Sequence, residues 1–247
     1  MTLLNSEQKL LLDKALALHK KGKIQEAIDL YSKLVEKNDD NSQILFLIGT
    51  AYVQISAIQK GINYLKKSLA LKPDNASAHS NLGNAYKYLK QHDEAISCYD
   101  KAIQLNPNHA DSFSNRGIVF LEMRRPDEAL ENFDKAIKIN PNHLFAQSNK
   151  GIALKDLNRY DEAIICYDKA IQVNPDFEEP YNNKGNIFKN LKQYDEALKN
   201  YQKVIQLNPN YDYILGKILH FKMFLCDWSN FNLLKKKIKK ALDKKSK

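Results

Sequence analysis

Prolines stand at 73, 107, 141, 175 and 209, each 34 residues after the one before. Proline removes a backbone donor and fixes φ, so each one ends whatever helix precedes it. A strict period of that length points to stacked helical hairpins, each unit burying its apolar faces against its neighbours. Framed with proline at position thirty-two, the repeats are 8–41, 42–75, 76–109, 110–143, 144–177 and 178–211. The reading is an all-α fold, with 1–211 as repeat array and 212–247 as a pair of capping helices ending in a basic tail.

Spacing within each unit supports helices. Ala95, Ile96, Tyr99, Ala102 and Ile103 fall at steps of one, three and four and form one stripe. Position eight is Gly49, Gly83, Gly117, Gly151 and Gly185, after Ala15 in the first repeat. A mid-helix glycine costs about 1 kcal/mol against alanine, and close approach of two helix backbones is the expected compensation. Position twenty is small throughout, as in Ala27, Gly61, Ala95 and Ala197. Position twenty-four is large: Tyr31, Leu65, Tyr99, Phe133, Tyr167 and Tyr201. Asp-Glu pairs at 93, 127, 161 and 195 suit the positive start of a second helix. Pro126 and Pro180 fall where first turns begin, which tolerate proline.

These residues resemble the tetratricopeptide repeat. The third unit, ASAHSNLGNAYKYLKQHDEAISCYDKAIQLNPNH, lies close to that family's consensus over its full length. The resemblance implies a right-handed α-solenoid of about six hairpins whose first helices line a concave groove. It implies a protein or peptide partner in that groove, no cofactor, and no catalysis by the chain itself. The first unit departs most, with Asp39 where proline is expected, as suits a terminal repeat.

In such a stack the inward positions are two, five, six, nine, twelve and thirteen. Position six is Asn81, Asn115, Asn149 and Asn183 in four successive repeats, and position nine adds Asn84 and Asn186. A carboxamide offers an acceptor and two donors, matching a peptide bond. Such a ladder can grip an extended backbone without reading its sequence; superhelical members such as O-GlcNAc transferase are similar in this. The same side chains can instead bond to one another, to water, or across neighbouring hairpins. Four asparagines with two bonds each contribute roughly 4–12 kcal/mol, against an association cost of about 4–15 kcal/mol. Further contacts are therefore needed. Lys87, Tyr88, Lys155 and Lys189, with Glu122 and Asp156, hold positions twelve and thirteen. The carboxylate clamp of chaperone-binding relatives requires lysine at position five, which here is Leu12, Phe46, Ser80, Ser114, Ser148 or Asn182.

The formal net charge of +9 is uneven: 212–247 carries ten lysines against three aspartates, leaving the repeats nearly neutral. The lysine run lacks the interleaved aromatics of single-strand binders, which argues against nucleic acid. No apolar run reaches the roughly 18 residues of a membrane span, and the N-terminal stretch does not read as a secretory signal. Three cysteines make no disulfide framework or metal site, so a reducing, cytoplasmic setting is expected. Cys226-Asp227-Trp228-Ser229-Asn230-Phe231 resembles the segment after the repeats in SPINDLY and O-GlcNAc transferase-like proteins. That resemblance implies an alternative role as the substrate-presenting arm of a protein glycosyltransferase. No glycine-rich phosphate loop or alternating strand–helix pattern for a nucleotide sugar is present. Trp228 reads as a large apolar plug closing the end of the stack in preference to any catalytic role, and Phe231, Leu234, Ile238 and Leu242 as the stripe of a last helix.

Overall fold

A computed structural model describes residues 5–37, 40–209, 211 and 214–225, and singly 229, 232, 235, 236 and 239. Among the described residues the elements are all helices. The first seven are α1 (Ser6–Lys20), α2 (Ile24–Lys37), α3 (Ser42–Gln54), α4 (Ile58–Leu71), α5 (Ala76–Tyr88), α6 (His92–Leu105) and α7 (Ala110–Glu122). The next six are α8 (Pro126–Ile139), α9 (Leu144–Asp156), α10 (Tyr160–Val173), α11 (Glu178–Asn190), α12 (Tyr194–Leu207) and α13 (Ile214–Phe224). They group into two compact units, 1–125 and 126–247.

In the first unit α1–α2, α3–α4 and α5–α6 are hairpins, and each second helix also packs on the next first helix. In the second unit α9–α10 and α11–α12 are hairpins, α8 packs on α9, and α12 packs on α13. The helices end where the sequence says they should. Asn106, Asn174 and Asn208, each just before a proline, are C-caps. Pro126 opens α8 and Pro180 sits in the first turn of α11. Position thirty-four supplies N-caps of two chemistries. Asn41 and Asn75 accept through Oδ1, whereas His109 and His143 accept through Nδ1, from Ser112 N–H and Ala146 N–H at 3.2 Å.

Each hairpin turn repeats one backbone device. Position fifteen lies at left-handed φ: Gly22 at 75°, Ser56 at 63°, Lys90 at 60°, Arg124 at 60°, Asn158 at 59° and Lys192 at 60°. Around Lys90, Gln91 N–H donates to Tyr86 O at 3.0 Å and Lys90 N–H to Lys87 O at 2.9 Å. This is the Schellman arrangement, which satisfies the last carbonyls of a helix. Only the first repeat uses glycine for it. Asn158 is a residue type that tolerates it; at Ser56, Lys90, Arg124 and Lys192 an ordinary side chain is held in a region that disfavours it.

The glycines at position eight serve rings more than backbones, which corrects the expectation above. A Cβ on Gly83 would lie 2.7 Å from Tyr99 Cε1, on Gly151 2.5 Å from Tyr167 Cε1, and on Gly185 2.6 Å from Tyr201 Cε1. In these hairpins the glycine admits the position-twenty-four ring of the same hairpin, and all three rings are fully buried. The hairpin of α3 and α4 shows the backbone approach itself, where a Cβ on Gly49 would meet Leu65 N at 3.0 Å and Gly61 O at 3.2 Å. Adjacent hairpins are also pinned by charge. Arg116 pairs with Asp100 in the first unit; Lys150 pairs with Asp134 and Lys184 with Asp168 in the second. Each joins position seven of one repeat to position twenty-five of the repeat before. These pairs are partly exposed, so their effect on stability is small.

Candidate functional site

In the first unit, the first helices α3, α5 and α7 contribute to a recess of about 270 Å³. It is lined by Thr50, Asn81, Asn84, Lys87, Tyr88 and Asn115, with Val53 and Gln54 at its edge. Five sequence-selected residues therefore meet in one place. Asn81 Nδ2 donates to Thr50 Oγ1 at 2.9 Å, and Thr50 Oγ1 donates to Phe46 O at 2.9 Å. One amide proton of Asn81 is thus committed to the neighbouring hairpin. Asn84 Oδ1 accepts from Tyr99 Oη at 2.7 Å, which anchors its carboxamide to the core. Asn115 is half-buried, and its side chain has no protein hydrogen-bond partner among the described residues. Tyr88 is 65% exposed beside it. Burial holds the Lys87 ammonium below the usual lysine range, with Glu122 acting to raise it and Lys90 to lower it. Glu122 itself is drawn to Lys90, at 3.1 Å.

The second unit carries the other two ladder residues. Asn149 on α9 and Asn183 on α11 are half-buried and, among the described residues, have no side-chain hydrogen-bond partner in the protein. Asn186 Oδ1 accepts from Tyr201 Oη at 2.9 Å, repeating the Asn84–Tyr99 contact. Lys155 is paired with its neighbour Asp156 at 3.3 Å. Lys189 is exposed and lines a recess of about 510 Å³ between α11, α12 and α13.

Two expectations change. Position five does not line a groove in three repeats: Ser80, Ser114 and Ser148 are 3%, 2% and 2% exposed and belong to the packing. The tail also begins differently from a pure cap. Lys217, on α13, lies one period of 34 beyond Asn183 and so occupies the ladder position itself. Its Nζ donates to Asn182 Oδ1 at 3.2 Å and Asn186 Oδ1 at 3.0 Å. The signal was available, since extending the frame past Pro209 reaches Lys217 directly. Cys226, Asp227, Trp228, Asn230 and Phe231, which carry the glycosyltransferase-arm resemblance, lie outside the described residues, as do Leu234, Ile238 and Leu242. Ser229 is described and accepts from buried Lys222 Nζ through its Oγ at 2.9 Å.

Among the described residues no helix is long and apolar enough to cross a membrane, and no cluster of His, Cys, Asp and Glu is arranged to hold a metal ion. Cys98 and Cys166 are free thiols; burial pushes the Cys98 thiol up to about 11 and raises Cys166 as well. Neither is poised as a nucleophile at neutral pH.

Comparison with known proteins agrees with the geometry. A search of the curated proteins gave no match. Among solved structures, MamA is 29% identical, with a TM-score of 0.57 over 67% of this chain and 91% of that one. YrrB, described as a TPR protein with an unusual peptide-binding site, is 22% identical, with a TM-score of 0.57 over 75% and 96% of the two chains. PilF of Pseudomonas aeruginosa is 20% identical, with a TM-score of 0.73 over 87% and 96%. The family profile described as tetratricopeptide repeat matches residues 76–109, 110–143, 145–177 and 179–211, and a second profile so described matches 12–76. With the hairpins, the buried rings and the matched span in agreement, this chain belongs to the tetratricopeptide repeat family.

Proposed function

We propose that the chain is a non-enzymatic interaction scaffold that holds an extended peptide segment against its first helices. The observation carrying this reading is that Asn115, Asn149 and Asn183 have carboxamides with no partner in the protein among the described residues. A polar group at a half-buried position with nothing to bond is ready to take a backbone N–H and C=O from outside. Asn84 and Asn186 have a different part: their tie to Tyr99 and Tyr201 presents the remaining Nδ2 donors in a fixed direction. Tyr88 and Lys87 add the side-chain contacts that a backbone ladder alone lacks. The free thiols fit a reducing, cytoplasmic setting.

The test replaces Asn115, Asn149 and Asn183 with alanine together, then compares capture of proteins from a native extract with urea unfolding of the same variant. Lost capture at unchanged stability supports the ladder. Unchanged capture removes it from the mechanism. A loss of stability larger than about 2 kcal/mol assigns these residues to the fold instead.

A further inference from the structure

The second helices share one charge pattern, and α4 breaks it. Position nineteen is Glu26, Glu94, Glu128, Glu162 and Glu196 in the other repeats but Lys60 in the second. Position twenty-five is Asp100, Asp134 and Asp168 in the repeats that pair through it, but Lys66 in the second. Position twenty-six, here Lys67, is lysine in every repeat. The two reversals do not serve the helix. The first turn of α4 holds no acid, and Lys60 puts a cation at the helix start, where the dipole opposes it. The position-seven residue of the next repeat is Leu82, so the ion pair made by Asp100 and Arg116 has no counterpart at Lys66.

These lysines stand around an open recess of about 470 Å³, lined by Tyr52 of α3 and by Lys60, Asn63, Tyr64, Lys66 and Lys67 of α4. It shares no residue with the recess at Asn81 and Asn115. Tyr52 and Tyr64 stack at 5.5 Å between centroids, 9° from parallel. Lys60 Nζ lies 5.6 Å from the Tyr52 centroid and Lys67 Nζ 5.9 Å from that of Tyr64, so the ring faces fix where these ammoniums stand. Lys66 Nζ is held in the same way 5.7 Å from the centroid of Tyr86, in the next hairpin. Acids on the flanking second helices are engaged elsewhere. On α2, Glu26 pairs with Lys23 and Asp29 accepts from Gln25; on α6, Asp100 pairs with Arg116. The ammoniums span residues 60 to 67, about 10 Å along the helix, the reach of about three residues of extended chain. Rings that already carry each other and an ammonium are poorly placed to stack a nucleotide base. Three lysines are also fewer than the roughly four to eight of a lipid-binding cluster. Charge complementarity therefore favours carboxylates on a peptide. We propose that this face of the second hairpin docks a short run of aspartate and glutamate residues from a partner protein. The proposal is independent of the groove reading.

The probe is the blocked peptide Ac-Gly-Glu-Asp-Glu-Glu-Gly-NH₂, titrated at low salt into the full, ¹⁵N-labelled chain and followed by amide chemical shifts. Ac-Gly-Gln-Asn-Gln-Gln-Gly-NH₂ is the uncharged control. The acidic peptide is expected to shift amides on α4 and at the end of α3 and to bind about tenfold more tightly than the control. That advantage is expected to shrink as salt screens the charges. Lys60→Glu combined with Lys66→Asp installs the residues that other repeats carry at these positions. This variant is expected to keep its helical circular dichroism and its urea midpoint and to lose the preference for the acidic peptide. Lys60→Gln combined with Lys66→Gln, the second variant, is expected to lose it as well. Unchanged preference in either folded variant overturns the proposal. Shifts spread evenly over all the second helices overturn it too, because lysine at position twenty-six would then attract acids anywhere. A response at the lysine-rich 235–247 without one on α4 has the same meaning. Tighter binding of a single-stranded oligothymidine of equal charge, or of phosphatidylserine vesicles, overturns it in favour of that ligand.

Discussion

The tyrosines at position twenty-four are fully buried in three comparable hairpins, yet one of them has lost its partner. Tyr99 Oη donates to Asn84 and Tyr201 Oη to Asn186, at 2.7 and 2.9 Å. Tyr167 is as deeply buried, but among the described residues its hydroxyl has no hydrogen-bond partner. The position corresponding to Asn84 and Asn186 is Ile152, which offers no acceptor. The fourth repeat avoids this mismatch by being apolar at both positions, with Ile118 and Phe133. A buried polar group left unmade costs about 1–3 kcal/mol, whereas a made neutral bond contributes about 0.5–1.5 kcal/mol. Removing each hydroxyl should therefore have opposite signs. Tyr201→Phe is expected to cost about 1 kcal/mol, and Asn186 keeps Lys217 as a donor, so no orphaned acceptor inflates the loss. Tyr167→Phe is expected to be neutral or stabilising by up to about 1 kcal/mol. Urea unfolding followed by helical circular dichroism reads the difference. At a slope of about 2.5 kcal/mol/M, a separation of 1–2 kcal/mol moves the midpoints apart by about 0.4–0.8 M. Equal losses for the two substitutions would refute the reasoning, because Tyr167 would then have a bond worth as much as that of Tyr201.

Three further outcomes are expected. Gly185→Ala forces a Cβ to 2.6 Å from a fully buried ring and should destabilise by about 1–3 kcal/mol, whereas Gly216→Ala, with open space around it, should stabilise by up to about 1 kcal/mol; paired thermal melts check both. Lys192→Gly, at φ 60° in a turn whose first-repeat counterpart is Gly22, should be neutral to stabilising by about 1 kcal/mol instead of showing the usual loss for a glycine introduction. Lys217 has its folded pKa lowered, so the unfolded chain binds its proton more tightly. That group's contribution to stability should therefore rise with pH across the window between its lowered value and the ordinary 10.5, and Lys217→Met should flatten the slope in alkaline unfolding curves.

Much of the backbone was legible because it depends on residue types that act locally. Proline stops, Asp-Glu starts and the apolar stripe each work within a few residues, and the observed helix ends follow them. The hairpin turn was not legible in the same way. Lys90, Arg124 and Lys192 are poor indicators of left-handed φ, while Gly22 and Asn158 are the residue types that favour it. There the Schellman hydrogen bonds and the packing of two helices override what the side chain prefers. Glycine at position eight points by its type to close approach of two helix backbones, but at Gly83, Gly151 and Gly185 the claimant is a ring sixteen residues later, which periodicity alone does not identify.

Side-chain partnership is the deeper limit. Four asparagines at one repeat position look equivalent in the sequence, yet Asn81 is tied to Thr50 while Asn115, Asn149 and Asn183 are not. The difference comes from position nine of the preceding repeat: a hydroxyl there ends the freedom of the next amide. Of the preceding position-nine residues within each unit, Thr50 carries a hydroxyl, Asn84 has its oxygen taken by Tyr99, and Ile152 has nothing to offer. The same position decides whether the buried tyrosine is satisfied. Positions six, nine and twenty-four thus form one coupled set that joins successive repeats, so a substitution at position nine changes two contacts at once. Ile152→Asn is expected to give Tyr167 an acceptor. It would at the same time place a new amide beside the ladder position of Asn183, so core stability and groove chemistry cannot be tuned separately at this position.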